Sequence, residues 1–232
     1  MTEHNMTLDM TSHRHMVGAA RSEAVSWAGS DLSLTRLLDI VIALCALVFL
    51  APMLALIAAA IKLQDGGPVF FSHERIGRGG RRFGCFKFRS MVVDAKERLA
   101  ALLATDPQAR ADWARDQKLR RDPRITSLGL FLRKSSLDEL PQFWNVLRGD
   151  MSIVGPRPIV FEEAARYGRR FYSYCSVRPG ITGLWQVSGR NETGYRRRVA
   201  MDHLYAQRNS LGLYLWIVIS TVPAVLLRRG SY

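Results

Sequence analysis

From Ile40 to Ile61 the chain runs for 22 residues without a charge, almost all of them apolar, with Arg36 and Asp39 before and Lys62 after. A run of that length can cross a bilayer as a helix. The strongly basic chain that follows suits a positive-inside orientation. Pro52 lies near its middle. Proline removes a helical hydrogen bond and bends the axis, so residues 36–62 also fit a re-entrant hairpin that enters one leaflet and returns. Leu211 to Leu227 forms a second uncharged run of 17 residues, between Arg208 and Arg228-Arg229, and carries Tyr214, Trp216 and Pro223. Aromatics beside a basic edge suit an interfacial helix; a core helix or a second span fits the same pattern. Residues 96–103 and 108–119 read as charged amphipathic helices. Between Pro68 and Met91, Val69-Phe70-Phe71 and Phe83–Phe88 flank a glycine-rich turn, Gly77 to Gly80, which predicts a short β-hairpin. Residues 1–33 show no sustained periodicity and read as a flexible tail.

Against this pattern, Ser135-Ser136-Leu137-Asp138-Glu139-Leu140-Pro141-Gln142 is unusual. Ser136 followed three residues on by Glu139 is a capping-box spacing, which predicts a helix start with Asp138 and Glu139 in its first turn. Unpaired N–H groups, the macrodipole and the upstream Arg133 and Lys134 then favour an ionised, exposed carboxylate at Asp138. Such a group can act as a nucleophile or a metal ligand, or can simply complement the helix dipole.

Composition narrows the partners. The net charge of +13 calls for an anionic one: nucleic acid, an anionic lipid surface or a phosphorylated substrate. No recognition-helix, zinc or RNP pattern supports nucleic acid. Cys45, Cys85 and Cys175 lack zinc-like spacing and read as inert thiols in a reducing compartment. The first thirty residues carry no apolar segment of the signal-peptide kind. His4, His13, His15, His73 and His203 do not form a metal set, and His73 reads as a hydrogen-bonding residue. Asp150 fits a turn, a second magnesium partner or an arginine partner, and Asp202 with Arg198 a structural salt bridge on one helix.

Five motifs occur in a fixed order: His73–Gly77, Lys87–Met91, Asp122–Thr126, Ser135–Gln142 continuing to Gly149–Pro158, and Arg178–Asn191. Together they resemble the bacterial sugar transferase family, the monotopic polyprenyl-phosphate phosphoglycosyl transferases. The resemblance runs from about Leu34 to the C-terminus. It implies a mostly helical α/β catalytic domain over residues 34–232, docked on the cytoplasmic leaflet through the re-entrant segment 36–62 and the interface segment 211–227. The family's hairpin breaks at a Ser-Pro pair, where this chain has Ala51-Pro52.

The resemblance also implies an activity: transfer of galactose or glucose 1-phosphate from a UDP-sugar to undecaprenyl phosphate, the first membrane step of exopolysaccharide synthesis. The chain resembles the small members without additional N-terminal transmembrane helices. Asp138 would be the nucleophile and Glu139 its partner, both holding Mg2+. Lys87, Arg89, Arg133, Arg157, Arg178 and Arg190 would bind phosphate; Lys87 and Arg89 alternate with Phe86 and Phe88, which puts both cations on one strand face. Membrane lipids are the remaining implied partner, and a homo-oligomer or other polysaccharide-assembly enzymes stay open. The competing readings are a membrane-tethered nucleic-acid-binding protein and a non-catalytic scaffold.

Overall fold

The computed structural model describes residues 34–226, except 117, 118, 120, 121 and 189–193. The tail 1–33 and Arg190 therefore lie outside the described residues. The chain is mostly helical with two small sheets. Its contacts group into two compact units: one drawn from Met1–Leu50, Ser72–Phe86 and Gln142–Tyr232, the other from Ala51–Phe71 and Lys87–Pro141.

Helix α1, Leu34–Asp65, contributes to both. It continues through Pro52 as a single helix rather than as two helices separated by a break. Its apolar side chains are largely unpacked; Phe49 is 84% exposed. Strands β1 (Phe70–Ile76) and β2 (Arg82–Phe88) form the expected hairpin. The turn between them holds Gly79 at φ 68° and Gly80 at φ 70°, a left-handed conformation that glycine adopts without steric cost.

In the first unit, β3 (Ser152–Val154) pairs in parallel with β4 (Gly180–Thr182) in the register Ser152 to Gly180 and Val154 to Thr182. Asp39, near the start of α1, is buried here. It accepts hydrogen bonds from the Ser152 hydroxyl (2.9 Å), the Ile153 N–H (2.8 Å) and the Tyr214 hydroxyl (2.9 Å). Arg36 donates to the Leu147 carbonyl at 3.1 Å. Asn145 is fully buried and knits its helix to β2, donating to the Gly84 carbonyl (2.7 Å) and accepting from the Phe86 N–H (2.9 Å). The Tyr174 hydroxyl, donating to the Ile76 carbonyl and accepting from the Ile159 N–H, closes the bridge between those two residues. The 211–227 run forms a helix over Leu211–Leu226. It buries Tyr214 and Ile217 and leaves Leu215, Trp216, Ile219 and Val222 exposed. Buried Asp202 takes its hydrogen bond from the Tyr167 hydroxyl (2.7 Å), while Arg198 lies over the Trp185 ring, so the anticipated helix-face bridge is not the main contact of either. His203 is half-buried, and its Nδ1 meets the Ser173 hydroxyl at 2.8 Å.

The second unit has its own core. Ile57 and Ile61 from the end of α1 pack with Phe88 and Leu132, ringed by Met53, Leu54, Val69, Leu128 and Leu137. The two charged helices fall at Ala95–Thr105 and Pro107–Asp116, close to where the pattern puts them. After them comes the helix Ser127–Ser135, capped by Thr126, whose side chain accepts from the Gly129 N–H. Gly129 has no room for a side chain: a Cβ there would run into the Ser90 carbonyl.

Candidate active site

The segment that carries Asp138 departs from the capping-box expectation. Ser136 does not open a helix; it closes one. It sits at φ 58° as the left-handed C-cap of Ser127–Ser135, and its side chain caps nothing. Asp138 and Glu139 lie on the short 3₁₀ turn Leu137–Glu139, before Pro141 and the helix Gln142–Arg148. The left-handed reversal folds the dyad back toward the basic end of the preceding helix. Asp138 is correspondingly not exposed: it is 7% exposed. Burial, as the largest effect, raises its pKa, and neighbouring Glu139 adds to this, while Lys87 and Arg133 oppose it. The expectation of a freely ionised surface carboxylate gives way to a buried one that depends on nearby cations.

Lys87, near the end of β2, supplies the closest of these. Its ammonium lies 2.5 Å from Glu139 Oε1 and 3.9 Å from Asp138 Oδ2. In this arrangement Lys87 engages the dyad itself. Arg133, in the last turn of its helix, donates Nε–H to the Ser90 hydroxyl at 2.8 Å. Arg89 lies just past the end of β2 and takes another direction. Its guanidinium is buried, paired with Asp65 at the end of α1 and directed at the Ile61 carbonyl. Its Nη1 is buried without a hydrogen-bond partner. Lys87, Arg89, Arg133, Asp138 and Glu139 thus all belong to the second unit.

Arg157 and Arg178 belong to the first unit. Arg157 is exposed. It lies in the electrostatic range of Arg75, whose pKa is lowered by burial first and by Arg157 second. The Arg75 guanidinium contacts His73 Nδ1 at 3.2 Å, the hydrogen-bonding role expected of that histidine. Arg178 donates to the Gly149 carbonyl at 3.0 Å, and Asp150 pairs with Arg148 at 3.4 Å. Cys45, Cys85 and Cys175 are free thiols, the last two buried.

Among the described residues no three His, Cys, Asp or Glu side chains cluster as a metal site. Two adjacent carboxylates remain, with an ammonium between them. That donor set is too small for an all-protein cage but suits magnesium, which takes one or two carboxylates and completes its shell with phosphate and water. Sequence reasoning passed over Ser90 and Asp65. An acid in the last turn of an apolar helix, where the dipole disfavours it, is a signal that a cation holds it.

The bacterial sugar transferase family model matches residues 30–228. The UDP-galactose-lipid carrier transferase of Erwinia amylovora is 50% identical over 203 residues, covering 88% of this chain and 42% of that protein. The undecaprenyl-phosphate galactose phosphotransferase of Salmonella typhimurium is 49% identical, with the same coverage. The exopolysaccharide production protein ExoY of Rhizobium meliloti is 48% identical over 197 residues, covering 85% of this chain and 87% of that protein. The chain therefore spans less than half the length of the first two relatives and most of the third.

Proposed function

The chain belongs to the bacterial sugar transferase family, and from that premise we propose that it transfers galactose or glucose 1-phosphate from a UDP-sugar to undecaprenyl phosphate. The observation that carries this reading is buried Asp138, held on its turn beside Glu139 and Lys87. In the first step an Asp138 carboxylate oxygen attacks the sugar-proximal phosphorus. A phosphorus–oxygen bond to aspartate forms, the bond to the bridging oxygen breaks, and UMP leaves with that oxygen. In the second step an oxygen of undecaprenyl phosphate attacks the same phosphorus and returns the aspartate, giving the undecaprenyl diphosphate sugar. Glu139 and Asp138 would hold magnesium, which when bound neutralises phosphate charge. Lys87 and Arg133 favour the anionic form of Asp138 against its burial and offer positive charge to the reacting phosphate.

The proposal includes the membrane. Asp39, near the start of α1, is held by Ser152, Ile153 and Tyr214, and Asp65, at its end, by Arg89. Between Gly66 and Ser210 the described residues contain no helix long and apolar enough to cross a bilayer. We read the two ends of α1 as lying on one side of the membrane. Pro52 near the middle of the apolar run supports a re-entrant path, and the use of a nucleotide sugar puts that side in the cytoplasm. The exposed Leu215, Trp216, Ile219 and Val222 support an interfacial role for the last helix.

Incubating the protein with UDP-galactose or UDP-glucose and magnesium, without lipid acceptor, tests the chemistry. One equivalent of UMP and an adduct of one sugar-phosphate mass on the peptide bearing Asp138 are expected. Asp138→Asn should lose both. UMP release that strictly requires the lipid, or an adduct on Glu139, overturns the double-displacement route.

A further inference from the structure

Four consecutive residues, Lys87 to Ser90, each grip a different part of the second unit. Lys87 pairs with the dyad, Phe88 fills the core, Arg89 pairs with Asp65, and Ser90 meets Arg133. The proposed chemistry uses the first of these but not the last. Ser90 is 8% exposed, and its backbone is fixed from both sides. Its carbonyl accepts from the Thr126 N–H at 3.2 Å, the next residue bridges Ile125, and Gly129 packs directly on that carbonyl. The hydroxyl is thereby aimed at one place, Arg133 Nε, 2.8 Å away.

An arginine has five N–H donors, one on Nε and four on the two Nη nitrogens. Ser90 engages the Nε edge. Among the described residues the Arg133 side chain donates to Ser90 through Nε alone, which leaves both Nη groups for another acceptor. Asp122 lies within the field of Arg133, but its two carboxylate oxygens are taken by Arg124 at 2.8 and 2.6 Å. Arg133 is also one of two cations that act on Asp138. A guanidinium held by its Nε edge cannot swing about its long stem, and it presents a planar pair of donors suited to two phosphate oxygens.

We propose that Ser90 is a positioning residue for this enzyme: by holding Arg133 through Nε it presents both Nη groups to the phosphates of the nucleotide sugar beside Asp138. The proposal rests on the phosphoglycosyl transfer reading given above. It assigns Ser90 no contact with substrate; its effect passes through Arg133 and is spent on orientation rather than on charge.

A double-mutant cycle tests it, with Ser90→Ala and Arg133→Ala made singly and together in the full chain. Two quantities are read: binding of UDP by calorimetry, and single-turnover UMP release from UDP-galactose or UDP-glucose without lipid acceptor. Ser90→Ala is expected to weaken UDP binding and slow UMP release by about 5- to 20-fold in the wild-type background, and by less than 2-fold where Arg133 is already alanine. Thermal unfolding is followed in parallel, and if Ser90→Ala lowers it, Ser90→Cys, similar in size but a poor acceptor, carries the same cycle. Equal losses in both backgrounds, or no loss with either Ser90 variant, overturn the proposal. Failure of the functional reading looks different: wild-type protein then releases no UMP from either donor, while coupling between Ser90 and Arg133 in UDP binding still decides the positioning role.

Discussion

Lys87 is the residue on which the charge state of the dyad turns. The proposed attack uses a free carboxylate oxygen of Asp138, yet burial and Glu139 both push its pKa up. Lys87, 3.9 Å from Asp138 and 2.5 Å from Glu139, opposes both effects. Replacing Lys87 by Met removes that opposition, so the carboxylate should protonate at a higher pH than in the wild type. The acid limb of the pH profile for UMP release should move to higher pH, on top of any uniform loss. Lys87→Arg should leave the limb near its original place. An unshifted limb in Lys87→Met means the ammonium does not set the charge of Asp138.

Asp202 offers a second residue-level test, on stability. Burial raises its pKa to about 7, against the hydrogen bond from Tyr167 and the attraction of Arg198. The folded value lies above the unfolded one of 3.8. Its stabilising contribution is therefore full below pH 3.8, falls as pH rises, and is exhausted above about 7. Asp202→Asn cannot titrate. The unfolding free energy of the wild type, relative to that of Asp202→Asn, should decline from pH 4 to pH 7 with a slope of at most about 1.4 kcal/mol per pH unit, and then level off. A difference constant across that range rules out a proton on Asp202.

At the scale of elements, the helix Ser127–Ser135 decides where the dyad goes. Thr126→Ala removes its cap and should cost about 1 kcal/mol. Gly129→Ala drives a Cβ into the Ser90 carbonyl and should cost more, in melting temperature and in UMP release alike, because Ser90 and Arg133 move with it. This helix is also where the sequence misleads. The spacing of Ser136 and Glu139 imitates a capping box, but Arg133 and Lys134 mark a C-terminus, and Pro141 favours a fresh start over continuation. The structure ends the helix at Ser135. The apolar runs, the β-hairpin and the two charged helices were legible because each depends on local periodicity. The burial of Asp138 was not, since it follows from a left-handed reversal at a serine and from strand residues some fifty positions upstream. Arg89 shows the same limit. Alternation gives its register beside Lys87, but the strand ends at Phe88 and Asp65 captures the guanidinium.

For the whole molecule, the proposed topology concerns the path of α1. The apolar part of α1 has a length that allows a full crossing. Hydropathy therefore leaves spanning and re-entry equally open, and the proposed re-entry is tested at the two ends of the helix. Asp39 is tied to Ser152 and Ile153, and Asp65 to Arg89; between Gly66 and Ser210 the described residues contain no helix long and apolar enough to cross a bilayer. In a background with Cys45→Ala, Leu34→Cys and Leu63→Cys mark exposed positions at the start and end of α1. An impermeant thiol reagent should leave both unlabelled in intact cells and label both in inside-out vesicles, after control for the two buried thiols. Labelling of Leu34→Cys from outside the cell, with Leu63→Cys shielded, would establish a span. It would mean that the contacts of Asp39 or Asp65 give way in the bilayer. Labelling at both ends from the cytoplasmic side would instead make Asp39 and Asp65, rather than hydropathy, the determinants of a re-entrant fold.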